Sequence, residues 1–383
     1  MNMLRSRFAK LLAAVVIGSG AVAFAVGQVR EADAARRDQA DVARMTKNMK
    51  TVCMGRFLID LPQETHLELR GPRIDGLNIS SVDESKGDFQ ARLVQREAEL
   101  RAIPDQFGGN KNLESVKEVM RDNGVFGKIF FHSRKVTEGT QANGLELERY
   151  RDEGIAIEAE VHGLGVSFSL AAGDYDPDKV EDLPGLVAKL VPNPLNKIPT
   201  EPGFCIDRAW FRDPLTADRG EEIMMSAQLT SHPDIQFLTI LAAGNKPAAQ
   251  SVLERSENTE ARLPLTQKFR GSSLRADPRT IGGITGDELI RRVDEINDAV
   301  VYTFWWEVAE TETSVFIPHF VFKMYVGKSQ NGPVPSSLSH DAAVTLWDRI
   351  SSSIRFHHPA PNKGSRPAPL PSQSARAALA SET

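Results

Sequence analysis

Apolar and polar positions alternate through most of this chain. The pattern is clearest at Ile155, Ile157, Ala159 and Val161, which face one way, while Glu158, Glu160 and His162 face the other. The same period recurs at Phe57, Ile59 and Leu61, at Leu67/Leu69 and at Leu77/Ile79. It returns at Ile223–Leu229, Ile235–Leu241, Val300–Val308 and Phe316–Met324. One buried and one wet face is the mark of an antiparallel sheet covered by helices on one side. The pattern predicts strands at Leu145–Tyr150, Ile155–His162, Val166–Leu170 and Asp287–Val293, with another inside Gly124–Val136. A period nearer 3.6 predicts a helix from Asp88, as its cap, to about Ile103, with Phe89, Leu93 and Leu100 inward. Further helices are expected near Leu183–Leu190, Pro247–Arg262 and His340–Ile354.

Two stretches echo one another across the chain. Thr51-Val-Cys53-Met-Gly-Arg-Phe-Leu-Ile-Asp-Leu-Pro62 is answered by Gly203-Phe-Cys205-Ile-Asp-Arg-Ala-Trp-Phe-Arg-Asp-Pro214, each a cysteine opening a short apolar strand that ends in Asp and Pro. Gly144–Glu153 matches Gly286–Glu295 at six of ten positions, including Leu147 against Leu289. The order of the echoes predicts two copies of one module. The fold class expected is α+β: two similar modules, each an antiparallel sheet with helices packed on one face, forming a two-domain clamp. The boundaries expected are 50–191 and 203–358, with a stiff linker at 192–202 that holds four prolines.

The ends differ from the middle. Arg5, Arg7 and Lys10 precede an apolar run from Leu11 to Val26, with Ala23-Phe24-Ala25 as a small-x-small site. Residues 1–29 therefore read as a secretory signal or, at 11–29, as an inner-membrane anchor. Either reading sends the rest of the chain to the periplasm. Residues 30–49 read as a spacer or a frayed helix. Residues 359–383, rich in Pro, Ser and Ala, read as a disordered tail.

With 383 residues and a net charge of −5, the chain can build two cores and has no basic stripe for nucleic acid. It has no Gly-x-Ser-x-Gly, Gly-x-Gly-x-x-Gly, His-Glu-x-x-His or phosphate-loop motif, so no catalytic residue, cofactor or metal ligand is assigned. Asp174-Tyr-Asp176-Pro-Asp178 starts like a calcium loop, but Lys179 stands where such a loop needs glycine; a strand end and helix cap is the simpler reading. His319 is expected on a strand face where it is solvated or half-buried. Trp305 and Glu307 share the outer face of a strand, and they are the candidate partner-binding residues. Trp305 could equally be covered by a loop or by the other module. Cys53 and Cys205 are candidates for a disulfide, since two cysteines outside the cytoplasm usually pair; two free core thiols are the alternative.

The openings Thr-Val-Cys-x-Gly-Arg-Phe and Gly-Phe-Cys-x-Asp, with the two Gly-x-Glu-Leu-x-Arg strands, resemble the type VI secretion lipase-immunity family between about Met49 and His357. The resemblance implies a two-domain envelope protein without enzymatic residues. Its implied partner is a cognate secreted phospholipase effector, which it grips and neutralises. An envelope hydrolase with a dispersed site between the modules is the alternative.

Overall fold

A computed structural model describes residues 33, 35–121, 124–144, 146–212, 220–244, 250–309, 315 and 317–357. The expectations for residues 1–29 and 359–383, for Leu145 and Phe316, and for the start of the Pro247 helix fall outside the described residues. Residues 35–45 of the expected spacer are helical (α1).

The first half runs β1 (Met49–Met54), β2 (Phe57–Pro62), β3 (Thr65–Ile74), β4 (Leu77–Asp83), α2 (Lys86–Ala102), β5 (Leu113–Met120), β6 (Phe126–Asn143), β7 (Glu146–Gly163), β8 (Val166–Tyr175), a 3-10 turn (Pro177–Asp182), α3 (Leu183–Val187) and β9 (Leu190–Pro192). The second runs β10 (Gly203–Ile206), β11 (Ala209–Arg212), β12 (Glu221–Leu229), β13 (Gln236–Ala243), α4 (Val252–Arg262), α5 (Leu265–Lys268), β14 (Gly271–Ile281), β15 (Ile284–Asp294), β16 (Val300–Val308) and β17 (His319–Val326). A short hairpin β18 (Lys328–Ser329) and β19 (Gly332–Pro333), then α6 (His340–Ser351) and β20 (Arg355–Phe356), complete it.

Twelve of these strands make one antiparallel sheet in the order β14-β15-β16-β17-β13-β12-β3-β4-β8-β7-β6-β5. Outward from the centre, each half places its six sheet strands as first, second, sixth, fifth, fourth, third. The two halves are therefore copies of one topology. They join through β3 and β12, where Met225 lies opposite Leu69 and Ala227 opposite Leu67. The modules are halves of a continuous sheet, not separate sheets across a gap.

Cys53 and Cys205 occupy equivalent first hairpins of the two halves, β1–β2 and β10–β11. Leu147 and Leu289 are not equivalent. Leu147 lies on the fifth strand of its half and is exposed; Leu289 lies on the fourth strand of the other and is buried. The ten-residue echo reflects two strand ends of similar chemistry, not shared position. The strands expected at Leu145–Tyr150 and Ile155–His162 are one strand, β7, whose outer part extends with β6 beyond the sheet.

One face of the sheet carries the main core. Trp347 of α6 stacks on Phe322 at 4.9 Å between ring centroids, and its indole N–H donates to Glu288 Oε1 at 2.7 Å. The two opening hairpins also pack on this face through Met54, Phe57, Phe204 and Phe211. The other face carries α2 and α4. The N-cap of α2 is Ser85, not Asp88: Ser85 accepts from the Asp88 N–H while Asp88 reaches back to the Ser85 hydroxyl. Phe89, Leu93 and Leu100 of α2 bury against Phe130. Its polar side holds the sheet too. Arg92 bonds Glu84 and Glu160, and Arg96 forks onto Glu158 at 2.8 and 2.6 Å. Asp176 accepts from the Asp178 N–H and caps the 3-10 turn.

The halves are fastened at the hairpins. Gly55 and Cys205 exchange backbone hydrogen bonds at 2.9 and 2.8 Å. Gly55 has φ +56°, and a Cβ there would lie 3.0 Å from Leu241 and 3.2 Å from Phe204, so glycine is required. Beside it, Cys53 and Cys205 form a disulfide that closes a separation of 152 residues. Arg56 forks onto Glu221 of β12 at 2.9 and 2.8 Å, with both side chains buried. Finally β20, at the end of the second half, pairs with β2 of the first, as β9 pairs with β11.

Three outcomes are expected. Arg56→Ala removes the forked, buried ion pair with Glu221 and should cost about 3–5 kcal/mol, while the double variant Arg56→Met/Glu221→Met should recover much of it; denaturant midpoints of the two decide. Free-thiol titration of the denatured, unreduced protein should find almost none, and Cys205→Ser should lose roughly 5 kcal/mol on the chain-entropy account. Burial pushes the Glu158 carboxyl up, but Arg96 and then His132 overcome this and hold it down at about 2. Its stabilisation is thus complete above the unfolded carboxylate value, near 4.5, and is lost as pH falls through about 2. Glu158→Gln should be less stable at neutral pH by on the order of 2 kcal/mol and show a shallower acid limb over that window; parallel acid limbs would contradict this.

Candidate functional site

Register across the sheet puts Leu289, Trp305, Lys323, Leu238, Ser226 and Glu68 in one row on one face. It is the face that carries α2 over β6 and β7 and α4 over β15 and β16. Six strands lie between β7 and β16. At strand spacing of about 4.8 Å, the helices wall a trough roughly 30 Å wide. Its floor is mixed: Ser226, Gln228 and Gln236 beside Leu238 and Ile240, with Glu68, Arg70 and Asn78 more exposed.

One wall is itself grooved. Between α4 and the sheet lies a cavity of about 920 Å³ lined by Val252, Leu263, Leu289, Val293 and Trp305, with Arg255, Arg270 and Arg291 around them. Ser251 sets the position of α4 through a reciprocal bond with Glu254. The wide face of Trp305 is then enclosed by cations, Arg255 at 5.5 Å and Lys323 Nζ at 3.2 Å from the ring centre. Burial lowers the Lys323 ammonium below its ordinary value.

Trp305 is thus a half-buried groove residue beneath a helix. Glu307 is a different case. It is 3% exposed and accepts from Arg255 at 2.5 Å, with His319 Nε2 at 3.1 Å. Burial pushes its carboxyl up, but His319 and Arg255 hold it below the ordinary carboxylate range. Glu307 does not stand open on the outer face of its strand: it anchors Arg255 over Trp305. The strand alternation placed both residues on one face correctly but could not show that α4 covers that face. Arg270, which lines the groove, escaped the sequence reading, because it precedes β14, whose polar Ser, Arg, Asp and Pro residues hide the strand.

The bridged cysteines lie away from this groove. Cys53, Cys205 and His357 place their sulfurs and a ring nitrogen within 4.8 Å of one another. With the sulfurs bonded to each other, no thiolate is offered to a metal. The His357 ring instead bonds the Pro199 carbonyl at 2.7 Å, locking β20 to the start of the second half.

Known proteins place this architecture. The model for the Tle cognate immunity protein 4 N-terminal domain matches residues 50–163, and that for its C-terminal domain matches residues 197–359. No curated protein matches the sequence. Among solved structures, the apo immunity protein TplEi of the Pseudomonas aeruginosa T6SS shares 24% identity with a TM-score of 0.65, covering 82% of this chain and 99% of that one. The same protein complexed with "L" peptide gives 23% identity and a TM-score of 0.62, over 81% and 98%. A chain of the Tle4–Tli4 complex gives 24% and 0.64, over 81% and 98%. At this identity the structures speak for the fold. The two family models together span well over half of the chain, one in each of its two topologically identical halves; the chain belongs to the Tle cognate immunity protein 4 family.

Proposed function

We propose that this protein is an immunity protein that binds and inhibits a cognate type VI secreted phospholipase in the cell envelope. The observation that carries the reading is the match of both family domains to the two halves of one sheet. The solved relatives support it: one is a Tle4–Tli4 complex and another holds a peptide. The protein acts by occupancy, not turnover. Its buried ionisable groups serve the architecture, with Glu221, Glu288 and Glu307 each taken by arginine. The trough suits such a role. Its walls are joined by twelve hydrogen-bonded strands, a disulfide and buried ion pairs, so little has to be ordered on binding. A stable complex needs at least about 1,000 Å² of total buried area, which a floor six strands wide supplies.

The periplasm is the compartment this reading requires. The charged, then apolar, residues 1–29 support it, as does the disulfide, which persists in an oxidising compartment. Among the described residues no helix is long and apolar enough to cross a membrane.

Lipid hydrolysis by the cognate type VI phospholipase should fall to near zero at about one equivalent of added protein. Undiminished hydrolysis at several-fold excess, or turnover of lipid by this protein alone, would sink the proposal.

A further inference from the structure

The floor of the trough has a seam between β3 and β4. These neighbours pair at two positions only, Arg73 with Asn78 and Ile74 with Leu77. Every other pair of neighbours between β7 and β16 joins at six positions or more. The second half offers an internal comparison, because β12 and β13 are the same two strands in its copy of the topology. They pair at eight positions, from Glu221 with Ala243 to Gln228 with Gln236. What sets β3 apart is Gly71-Pro72. Gly71 has φ +56°, and Pro72 brings no N–H to a ladder. The register of β3 against β12 slips between Arg70 and Arg73, so β3 carries an extra residue there. Such a bulge bends its strand. Thr65–Arg70 therefore follows β12, while Asn78–Asp83 of β4 follows β8, and the two strands part in a V.

On the sides that face each other, residues 66–71 and 79–83 have no backbone partner among the described residues. An unpaired strand edge is a template for another strand, and here two such edges face one gap. The side chains agree. Leu67 and Leu69 are only half-buried over the main core, whereas Ala227 and Met225, opposite them on β12, are buried. Ile79 of β4 faces the same core, and the trough side of the seam is polar and exposed at Glu68, Asn78 and Ser80. We propose that the effector adds one extended segment to this seam, its backbone bonded to β3 on one side and to β4 on the other. Its alternate side chains are apolar toward Leu67, Leu69 and Ile79 and polar toward the trough. In strand addition the backbone bonds give affinity and the alternate side chains give specificity. Six residues at about 3.3 Å each span roughly 20 Å, the length of an ordinary strand. The inference rests on the immunity reading and states how the partner is held.

The test is residue-resolved amide hydrogen exchange of the protein, alone and in complex with the cognate type VI phospholipase. Alone, every second amide of residues 66–71 and 79–83 should exchange fast, because neighbouring amides of a strand point to opposite sides and only one set is paired. In the complex the fast set should slow by about tenfold or more on both strands, with β5 at the outer edge of the sheet unchanged. Leu69→Glu places a charge where an apolar side chain of the segment would seat, and it should weaken effector binding by about tenfold or more. Leu69→Ile should keep it, with thermal unfolding confirming that each variant folds; if Leu69→Glu does not fold, exchange alone decides. A complex with no slowing at the seam, or with slowing on one strand only, overturns the inference and leaves the immunity reading standing. So does a folded Leu69→Glu variant that binds as tightly as the parent. Failure to form any complex with the phospholipase removes the immunity reading and this inference with it.

Discussion

Everything in this molecule depends on the pairing of β3 with β12. Two copies of a six-stranded unit would each end in an open edge with unpaired backbone groups. Placing the first strand of each copy against the other satisfies both edges at once and makes a sheet of twelve. The alternation of Met225 and Ala227 against Leu69 and Leu67 fixes the register, because a slip of one residue would turn the apolar set into water. The disulfide, the Gly55–Cys205 backbone bonds and the Arg56–Glu221 pair all sit where they hold that junction. Its position also decides where the helices can go. Because the strands at the centre are shared, α2 and α4 are pushed outward on the same face, and a trough results.

Much of the fold could be read from residues whose environment is simple. Ile155–Val161 and Val300–Val308 alternate because one side of each meets a core and the other meets a helix with polar contacts. The inward face of α2, with Phe89, Leu93 and Leu100, follows from its helical spacing. Where the environment is mixed, the pattern fades. Edge strand β5 spaces its inward residues irregularly, since a bulge between Leu113 and Ser115 shifts the register. Edge strand β14 is polar with Pro278 in its middle, which an edge tolerates and a central strand does not. The similarity of Gly144–Glu153 to Gly286–Glu295 misled because short charged strand ends resemble each other wherever they occur.

The candidate site was legible in part for the same reason. Periodicity places Trp305 and Glu307 on one side of β16, and nothing in the sequence says what lies over them. Cover depends on α4, whose position depends on its cap and on the Arg255–Glu307 pair. A carboxylate that looks like a contact residue on a strand therefore becomes, once the helix lands, the group that holds an arginine over an indole.

The closing of β20 onto β2 has a further consequence. The start and the finish of the folded chain are neighbours, and α1 is bonded to α6 and the turn before it, through Gln39 to Thr345 and Asp38 to the Ser339 N–H. Both ends therefore leave from the side of the sheet that carries α6, opposite the side that carries α2 and α4. A tether at either terminus, whether to a bilayer or to another protein, would grip the molecule from behind. The trough would then be presented outward like an open palm, and anchoring would compete with nothing that approaches it.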